Sequence, residues 1–426
     1  MFKSIIGTIS SKVLLALMSF LIVTIQTHNL GPERYGYVSL IILGITMVQM
    51  VNNFVGGPAL IYLVPRYSLF KLFVPSYLWA FISAIVVTAV LHIFNLIPRQ
   101  FSIHIMCLSF LCSINYINQV ILLGKEKINK YNVVTLLQLA FMILSLVFFF
   151  LFLKQQNIEA VIISLYVQYT AGFLIGYLFI YKDISKVSDH DNSAIVRDII
   201  KYGSLTQTGN IVQLLNYRLS FYIIDFYAGK AVLGAYNVGV QLAEGLWLIG
   251  KSLALIQYSK ISNVKNKQFA KDFSIQLMKV SVLSTLLLII PVFVFPTSLF
   301  QFVFGRDFTQ VKEVFIFLSP GILAMAASMI FSHYFSGLGK IHINTIAASI
   351  GLVFTSIAGF VLIPRIGLYG AAVTASISYF TITLFQFILF LDMSKTKFSE
   401  LLINRKDIDM AKNKIKEIYH SLRKIR

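Results

Sequence analysis

The stretch SSKVLLALMSFLIVTIQTHNL, from Ser10 to Leu30, decides the class of fold. Between Lys12 and Gln26 it carries no charged side chain, and a helix needs about 20 apolar residues to cross the hydrocarbon core of a bilayer. It is too long for a cleaved signal peptide and has no small-residue cleavage site after its apolar run. The stretch therefore predicts a transmembrane helix.

The composition extends this prediction to the whole chain of 426 residues. Hydrophobic residues make up 57% and charged residues 12%, against about 45–50% and about 25% in soluble domains. A soluble fold cannot bury that much apolar surface, so we expect an all-α polytopic membrane protein. The only cysteines, Cys107 and Cys112, lie on different faces of one apolar helix, and the histidines form no ligand cluster. We predict no metal site and no cofactor.

The net charge of +19 would suggest a nucleic-acid partner in a soluble protein. In a membrane protein it sets orientation, because basic residues accumulate in cytoplasmic loops. We therefore expect no nucleic-acid partner.

The apolar stretches of the chain predict twelve membrane spans. They lie near 9–30, 37–56, 72–96, 101–123, 132–153, 159–181, 203–227, 232–256, 274–299, 314–336, 344–363 and 368–391.

The basic residues divide unequally between the two sides of these twelve spans. Sixteen lie at the N-terminus and in the even-to-odd loops and ten more in the tail, against seven in the other loops. The positive-inside rule then predicts that both termini are cytoplasmic. The tail, 393–426, repeats apolar residues at three- and four-residue steps from Ile408, with Lys and Arg between them. This pattern predicts a basic amphipathic helix on the inner leaflet, and partner binding is the alternative.

Two strings recur in order along the chain. LGKEKIN (Leu123 to Asn129) matches LGKIHIN (Leu338 to Asn344) at five positions, and the pair Gly31/Gly36 recurs as Gly229/Gly234. Recurrence at equivalent positions indicates duplication. Each half has an even number of spans, so the pseudo-two-fold axis runs along the membrane normal. We predict six-helix bundles at 1–181 and 203–392, joined by a cytoplasmic link at 182–202.

Three motifs resemble one transporter family. NLGPERYGYVSL (Asn29 to Leu40), GAYNVGVQLAEGLWLIGKSLALIQYSKIS (Gly234 to Ser262) and GLYGAAVTASISY (Gly367 to Tyr379) are similar to segments of the Wzx-type polysaccharide flippases of the MOP superfamily. The resemblance spans most of the chain and implies a MATE-like fold. Many relatives carry an acidic residue two places after an Arg of the seventh helix, where this chain has Ser220 after Arg218.

Polar residues in spans 7 and 8 predict a wet cavity, because an ionisable group at bilayer depth costs about 2.5–3.5 kcal/mol by insertion scales. They recur on one face of each helix, and they are Gln207, Asn210, Arg218 and Asp225 in span 7, and Asn237, Gln241, Glu244 and Lys251 in span 8.

Several of these candidates have a second interpretation. Arg218 could instead pair with Glu244 and lock the two helices together. Lys251 could snorkel to the cytoplasmic interface, and Lys12 could be a topology anchor, although its place resembles a basic position in relatives. Asn53 at the end of span 2 either lines the inner mouth or caps a helix end.

The sequence as a whole predicts a flippase for a polyprenyl-pyrophosphate-linked oligosaccharide in the bacterial inner (plasma) membrane. Its product would enter an O-antigen, capsule or exopolysaccharide pathway, with polymerase or assembly proteins as possible partners. Cations would hold the phosphates, amides would hold the sugars, and the prenyl tail would stay in lipid. The sequence does not decide between a proton and Na⁺ as the coupling ion.

Two alternative functions are considered. The first is a cation-coupled multidrug antiporter, which is disfavoured because the N-terminal half has no acidic residue within a span. The second is a membrane polymerase or ligase.

Overall fold

The computed structural model of the chain describes residues 2–57, 59–184, 192–263 and 266–401. In these ranges the protein is built from helices and the turns between them, without a strand. The helices are α1 (Phe2–Gly56), α2 (Ala59–Leu63), α3 (Leu69–Ile93), α4 (Ser102–Gly124), α5 (Ile128–Val147), α6 (Ile158–Ile180), α7 (Asn192–Tyr227), α8 (Gly229–Asn263), α9 (Lys267–Val294), α10 (Thr297–Phe304), α11 (Val311–Gly337), α12 (His342–Ser394) and α13 (Phe398–Leu401).

Nine helices among the described residues are long and apolar enough to cross a membrane. Their outer surfaces carry many exposed large apolar side chains, such as Leu17, Leu178 and Leu287. A soluble protein does not leave so many large apolar side chains exposed. The chain is therefore a multi-pass membrane protein, as its composition predicts.

Two of the nine helices are too long for one crossing. The 55 residues of α1 would extend about 80 Å at 1.5 Å per residue, against about 30 Å of hydrocarbon. α1 is broken at Gly31, whose φ of 69° is accessible to glycine at little cost. α12 is broken at Ile366 and Gly367, the latter with a φ of 52°. The sequence predicted a loop at each place, and the structure has a sharp break there instead.

Helix α7 is not among the nine, because polar residues interrupt its apolar sequence. Twelve crossings and the two-fold relation between halves therefore stay predictions. The proposed amphipathic helix from Ile408 onward lies outside the described residues, as do residues 185–191 of the predicted link, whereas residues 192–202 of the link form the start of α7.

The packing separates an N-terminal and a C-terminal group of helices. α5 and α4 pack on α6, and α3 packs on α1 and α4, whereas α11 packs on α8, α9 and α12, and α12 packs on α7. Two buried apolar clusters lie within residues 22–180 and one within 261–390. The largest cluster joins Val23, Tyr35, Leu40 and Leu43 of α1 to residues of the C-terminal group. α1 is thus the main element by which the first group contacts the second, and its partner is α8.

Candidate substrate cavity

One end of the α1–α8 contact is sealed by direct backbone approach. A Cβ added to Gly36 would lie 2.0 Å from the carbonyl oxygen of Lys230, and one added to Gly234 would lie 2.0 Å from that of Pro32. Only a residue without a side chain permits such an approach. Each glycine therefore contacts the turn that precedes the other glycine, and the two contacts are reciprocal.

Side chains of both helix groups extend the seal. Asn237 Nδ2 donates to Ser39 Oγ at 2.6 Å, and Gln241 Nε2 donates to Tyr35 Oη at 2.8 Å. The Tyr35 ring also meets Phe308 edge to face, with centroids 6.2 Å apart. Asn237 and Gln241 thus line the cavities described below, as the sequence predicted, but their amide donors already bind the opposite half.

Away from this seal, α1 and α8 separate and enclose the main cavity, of about 710 Å³. Its walls are the Lys12–Val23 part of α1 and the Val238–Ser252 part of α8, with Phe304 of α10. Its volume is that of a ligand site for a small organic molecule. Leu17 of α1 and Leu248 of α8 have exposed side chains at or beside this cavity. Because its walls come from α1 and α8, the cavity lies at the seam between the two groups of helices.

A second cavity, of about 330 Å³, adjoins the main cavity on the side of the seal. Gln241 and Glu244 line both cavities, and Arg218 lines the second. Gln26 and Gln168, which the sequence analysis did not select, add further amides to its wall. The polar stripes of α7 and α8 thus meet polar residues of the N-terminal helices.

Arg218 and Glu244 form an ion pair in this second cavity. Arg218 Nη2 lies 2.8 Å from Glu244 Oε1, with side chains 22% and 29% exposed. The guanidinium also lies 5.0 Å from the centroid of the Phe221 ring. The structure therefore combines the two interpretations of Arg218, because the residue lines the second cavity and also pairs with Glu244. Its charge is largely neutralised by its partner, which leaves little net attraction for an anion.

Two other cations face the main cavity without such compensation. Lys12 from α1 and Lys251 from α8 both line it. Within the part of the chain that the structure describes, neither has a carboxylate partner. Lys251 Nζ lies 5.8 Å from the centroid of the Trp247 ring. The positive potential of the main cavity therefore comes from these two lysines.

Three predicted site residues lie elsewhere. Gln207 shares its face of α7 with Arg218 but lies three turns away, where Gly209 packs against Thr345 of α12. Asn210 Nδ2 donates to Gln207 Oε1 at 3.3 Å, and neither residue lines a cavity described here. Asn53 accepts a hydrogen bond of 3.0 Å from Gln49 within the N-terminal helices.

A third cavity was not expected from the sequence. It has about 310 Å³ and is lined from α7, α8, α11 and α12, with Lys251 shared with the main cavity. Its polar residues are mostly neutral, and a search for charged groups within spans passes over them. The signal that could have revealed them is the recurrence of Ser, Asn, Gln and His in otherwise apolar spans 10 to 12, at Ser328, Ser332, His333, Asn344 and Gln386.

No group of three or more His, Cys, Asp or Glu side chains in the described ranges could hold a metal ion. The cavities therefore offer cations, amides, hydroxyls and aromatic rings. Such groups bind a ligand with anionic and hydroxyl-bearing parts.

Such cavities between two helix groups of an all-helical membrane protein define a membrane transporter. Residues 1–249 match the sequence profile of the family described as "Polysaccharide biosynthesis protein". Because this match covers more than half of the chain, the protein belongs to that family. The predicted resemblance to a family of polysaccharide-export proteins is thereby confirmed at the level of a polysaccharide biosynthesis family.

Two curated relatives are archaeal. An uncharacterized membrane protein of Methanocaldococcus jannaschii is 24% identical over 256 residues, which is 58% of this chain and 50% of the relative. The probable low-salt glycan biosynthesis flippase Agl15 of Haloferax volcanii is 23% identical over 225 residues, 52% of this chain and 47% of the relative. The chain thus matches about half the length of the curated relatives.

Solved structures share the fold over nearly the whole chain. An inward-facing multidrug resistance MATE family transporter of the MOP superfamily has a TM-score of 0.68 and 16% identity, over 89% of this chain and 94% of that one. The lipid II flippase MurJ in an inward closed conformation has a TM-score of 0.66 and 16% identity, over 94% and 89%. A MOP superfamily transporter from Pyrococcus furiosus has a TM-score of 0.63 and 15% identity, over 91% of this chain and 95% of that one. At these identities the likeness concerns the fold.

Proposed function

We propose that the protein flips a polyprenyl-pyrophosphate-linked oligosaccharide from the cytoplasmic to the outer leaflet by alternating access. The observation that carries the proposal is the pair of uncompensated lysines, Lys12 and Lys251, on opposite walls of a cavity at the seam between the halves. The family match and the relative named as a glycan biosynthesis flippase support it.

The arrangement suits the three parts of such a lipid. The two ammonium groups attract the pyrophosphate, and the Arg218–Glu244 pair keeps the adjoining cavity polar without adding net charge. The exposed apolar residues beside the cavity let the prenyl tail remain in the bilayer. A membrane potential that is negative inside drives an anion outward, by about 2.3 kcal/mol per charge and 100 mV.

The sidedness follows from the same proposal. Twelve crossings in two six-helix bundles related by a pseudo-two-fold axis would place both termini in the cytoplasm. The reciprocal contacts of Gly36 and Gly234 support the axis, because exchange of equivalent contacts is what a two-fold relation produces. Lys12 and Lys251 then lie toward the cytoplasmic side, where the substrate is made. The membrane would be the bacterial plasma membrane, and a polymerase would use the product.

A cation-coupled antiporter remains the second candidate because MATE transporters share the fold. In the described parts of α1 and α3 to α6, the acidic residues Glu33 and Glu159 lie beside the break of α1 and in the first turn of α6. Glu244 is the acidic residue of the cavity, and Arg218 already neutralises it. This distribution favours an anionic substrate.

Export of surface polysaccharide in cells that depend on this protein tests the proposal. The double variant Lys12→Ala, Lys251→Ala should reduce export roughly tenfold or more, since each charge-assisted contact contributes about 1.5–3 kcal/mol, and lipid-linked glycan should accumulate in the inner leaflet. Lys260→Ala is the control, because Lys260 also lies on α8 but lines none of the cavities described here. Normal export by the double variant would refute the assignment of the anion site.

A further inference from the structure

The third cavity lies within the C-terminal group of helices, next to the main cavity. Its volume of about 310 Å³ is at the lower end of the range for ligand pockets. Lys251 lines both cavities. A phosphate bound to Lys251 would therefore stand at the entrance of the third cavity, and a group attached to that phosphate could enter it.

Aromatic rings form one wall of the third cavity. Trp247 and Tyr217 have ring centroids 5.7 Å apart, and Trp247 is only 3% exposed. The indole Nε1–H of Trp247 is buried and has no hydrogen-bond partner among the described residues. An unsatisfied buried donor destabilises the protein, so a ligand that accepts a hydrogen bond from it would gain affinity.

Other lining residues of the third cavity are neutral polar groups held in a chain of hydrogen bonds. Ser328 Oγ donates to Gln386 Oε1 at 2.6 Å, and Gln386 Nε2 donates to Asn344 Oδ1 at 3.2 Å. Asn344 Nδ2 donates in turn to the carbonyl oxygen of Ser332 at 2.9 Å. These bonds fix the orientation of the amides before a ligand enters, which lowers the entropic cost of binding.

His333 adds a further group with a defined orientation. Its Nδ1 is hydrogen-bonded to the carbonyl oxygen of Met329 at 2.8 Å, which leaves Nε2 for another partner. Among the described residues that line this cavity, Lys251 is the one Lys, and none is a carboxylate or Arg. Flat aromatic faces beside neutral donors and acceptors are the chemistry that recognises a sugar ring, since its C–H faces stack and its hydroxyls hydrogen-bond.

We propose that the third cavity is a subsite for the first sugar attached to the pyrophosphate. The inference rests on the proposed function, because Lys251 must hold the adjacent phosphate. The cavity takes one sugar ring, so it reads the sugar at the reducing end, and the remaining sugars occupy the main and second cavities. Specificity for the repeat unit then depends on Trp247, Asn344 and Gln386.

The chain offers an internal probe because it contains two tryptophans. Trp79 lies in the N-terminal helices, where its indole donates to the carbonyl oxygen of Val51 at 3.1 Å. The variant Trp79→Phe leaves Trp247 as the sole tryptophan. It would be titrated in nanodiscs with lipid-linked glycans extracted from the producing cells, and with the same extract after mild acid has removed the glycan from the polyprenyl pyrophosphate.

We expect both preparations to bind, but only the glycan-bearing lipid to change Trp247 fluorescence strongly and to bind more tightly. Equal affinities and equal fluorescence changes would overturn the sugar subsite while leaving the flippase proposal intact. Failure of both preparations to bind would overturn the flippase proposal itself.

Two variants locate the effect by a readout independent of fluorescence. Trp247→Phe keeps an aromatic ring and removes the N–H, and Asn344→Ala breaks the polar chain. Thermal stabilisation by each lipid should show a loss of about three- to tenfold in affinity for the glycan-bearing lipid, the value of one hydrogen bond, and no change for the glycan-free lipid. Trp79→Phe is the control. An unchanged preference for the glycan-bearing lipid in both variants would refute the assignment to this cavity.

Discussion

The α1–α8 contact has two different ends, one where the helices touch and one where a cavity separates them. At the sealed end, Gly36 and Gly234 let backbone touch backbone. At the open end, Lys12 and Lys251 line a cavity of about 710 Å³. The first end is a steric fit that depends on missing side chains, and the second is an electrostatic site. The same two helices can therefore close one side of the membrane while they offer a binding site to the other.

The largest effect is expected from a methyl group at the sealed end. In Gly36→Ala the new Cβ would lie 2.0 Å from the Lys230 carbonyl oxygen, so the backbone must shift. Overpacking of this kind costs about 1–3 kcal/mol, and the seal should open. We expect transport to be lost and cysteines introduced near Ser39 to react with membrane-impermeant thiol reagents.

Gly245→Ala is the matched control for this substitution. Gly245 also lies on α8, and a Cβ there would meet nothing within 4 Å. It should keep the stability of the wild type, and because Gly245 lines the main cavity only stability and thiol labelling are compared. Equal stability and equal labelling of the two variants would show that the close glycine contact is not what seals this end.

A smaller effect is expected where the two ends meet, at the Arg218–Glu244 pair. Arg218→Ala leaves a partly buried carboxylate without its partner. Because the pair is partly solvated, we expect a cost of about 1 kcal/mol, well below that of a fully buried pair. The protein should be less abundant and melt at a lower temperature. The double variant Arg218→Ala, Glu244→Gln should recover abundance.

Surface polysaccharide then separates the roles of the pair. If the pair only locks α7 to α8, the double variant recovers export together with abundance. If Arg218 also contacts substrate, abundance returns without export. Since Lys12 and Lys251 carry the uncompensated charge, we expect substantial export from the double variant.

Much of this architecture could be predicted from the sequence. Long apolar runs identified the membrane helices. The recurrence of Gly31/Gly36 as Gly229/Gly234 indicated duplication, but it did not show that Gly36 and Gly234 meet across the two groups of helices. Helical periodicity also selected Arg218, Gln241 and Glu244 for a common cavity. These features depend on local pattern, which a sequence contains.

The remaining features depend on distances between helices. Periodicity placed Gln207 on the face of Arg218, but it could not show that Gln207, three turns before Arg218, is buried away from the cavities described here. It also left the Arg218–Glu244 pair open, because the separation of α7 and α8 is set by packing. Asn344 and Gln386 were not predicted as site residues, because a neutral amide within a membrane span does not indicate a functional site as strongly as a charged group does.

A smaller change at the sealed end tests its side-chain contacts. Asn237→Ala removes the hydrogen bond of 2.6 Å to Ser39 and leaves the glycine contact in place. One such bond contributes about 1 kcal/mol, so the melting temperature should fall slightly and transport should persist. The double variant with Ser39→Ala should lose less than the sum of the two single variants, because the two residues share one bond although Ser39 Oγ also donates to the carbonyl oxygen of Tyr35 at 2.8 Å. Fully additive losses would show that the Asn237–Ser39 bond does not stabilise the fold.

The smallest expected effect is the pH dependence of the melting temperature, which distinguishes an ion pair from a steric contact. Lys271 Nζ lies 2.8 Å from Glu400 Oε2, where α13 packs on α9. The hydrogen bond from Lys271, and then the backbone N–H of Lys397, lower the pKa of Glu400 below its ordinary value of 4.5. A carboxyl group with a lowered pKa stabilises the fold above its unfolded pKa, and this contribution is lost as the pH falls through the folded pKa. The melting temperature of the wild type should therefore approach that of Glu400→Gln between about pH 6 and pH 3. The glycine contact at the sealed end has no titratable group, so the difference between Gly36→Ala and wild type should not change over this range. A constant difference between Glu400→Gln and wild type would mean that the Lys271 contact does not stabilise the folded state.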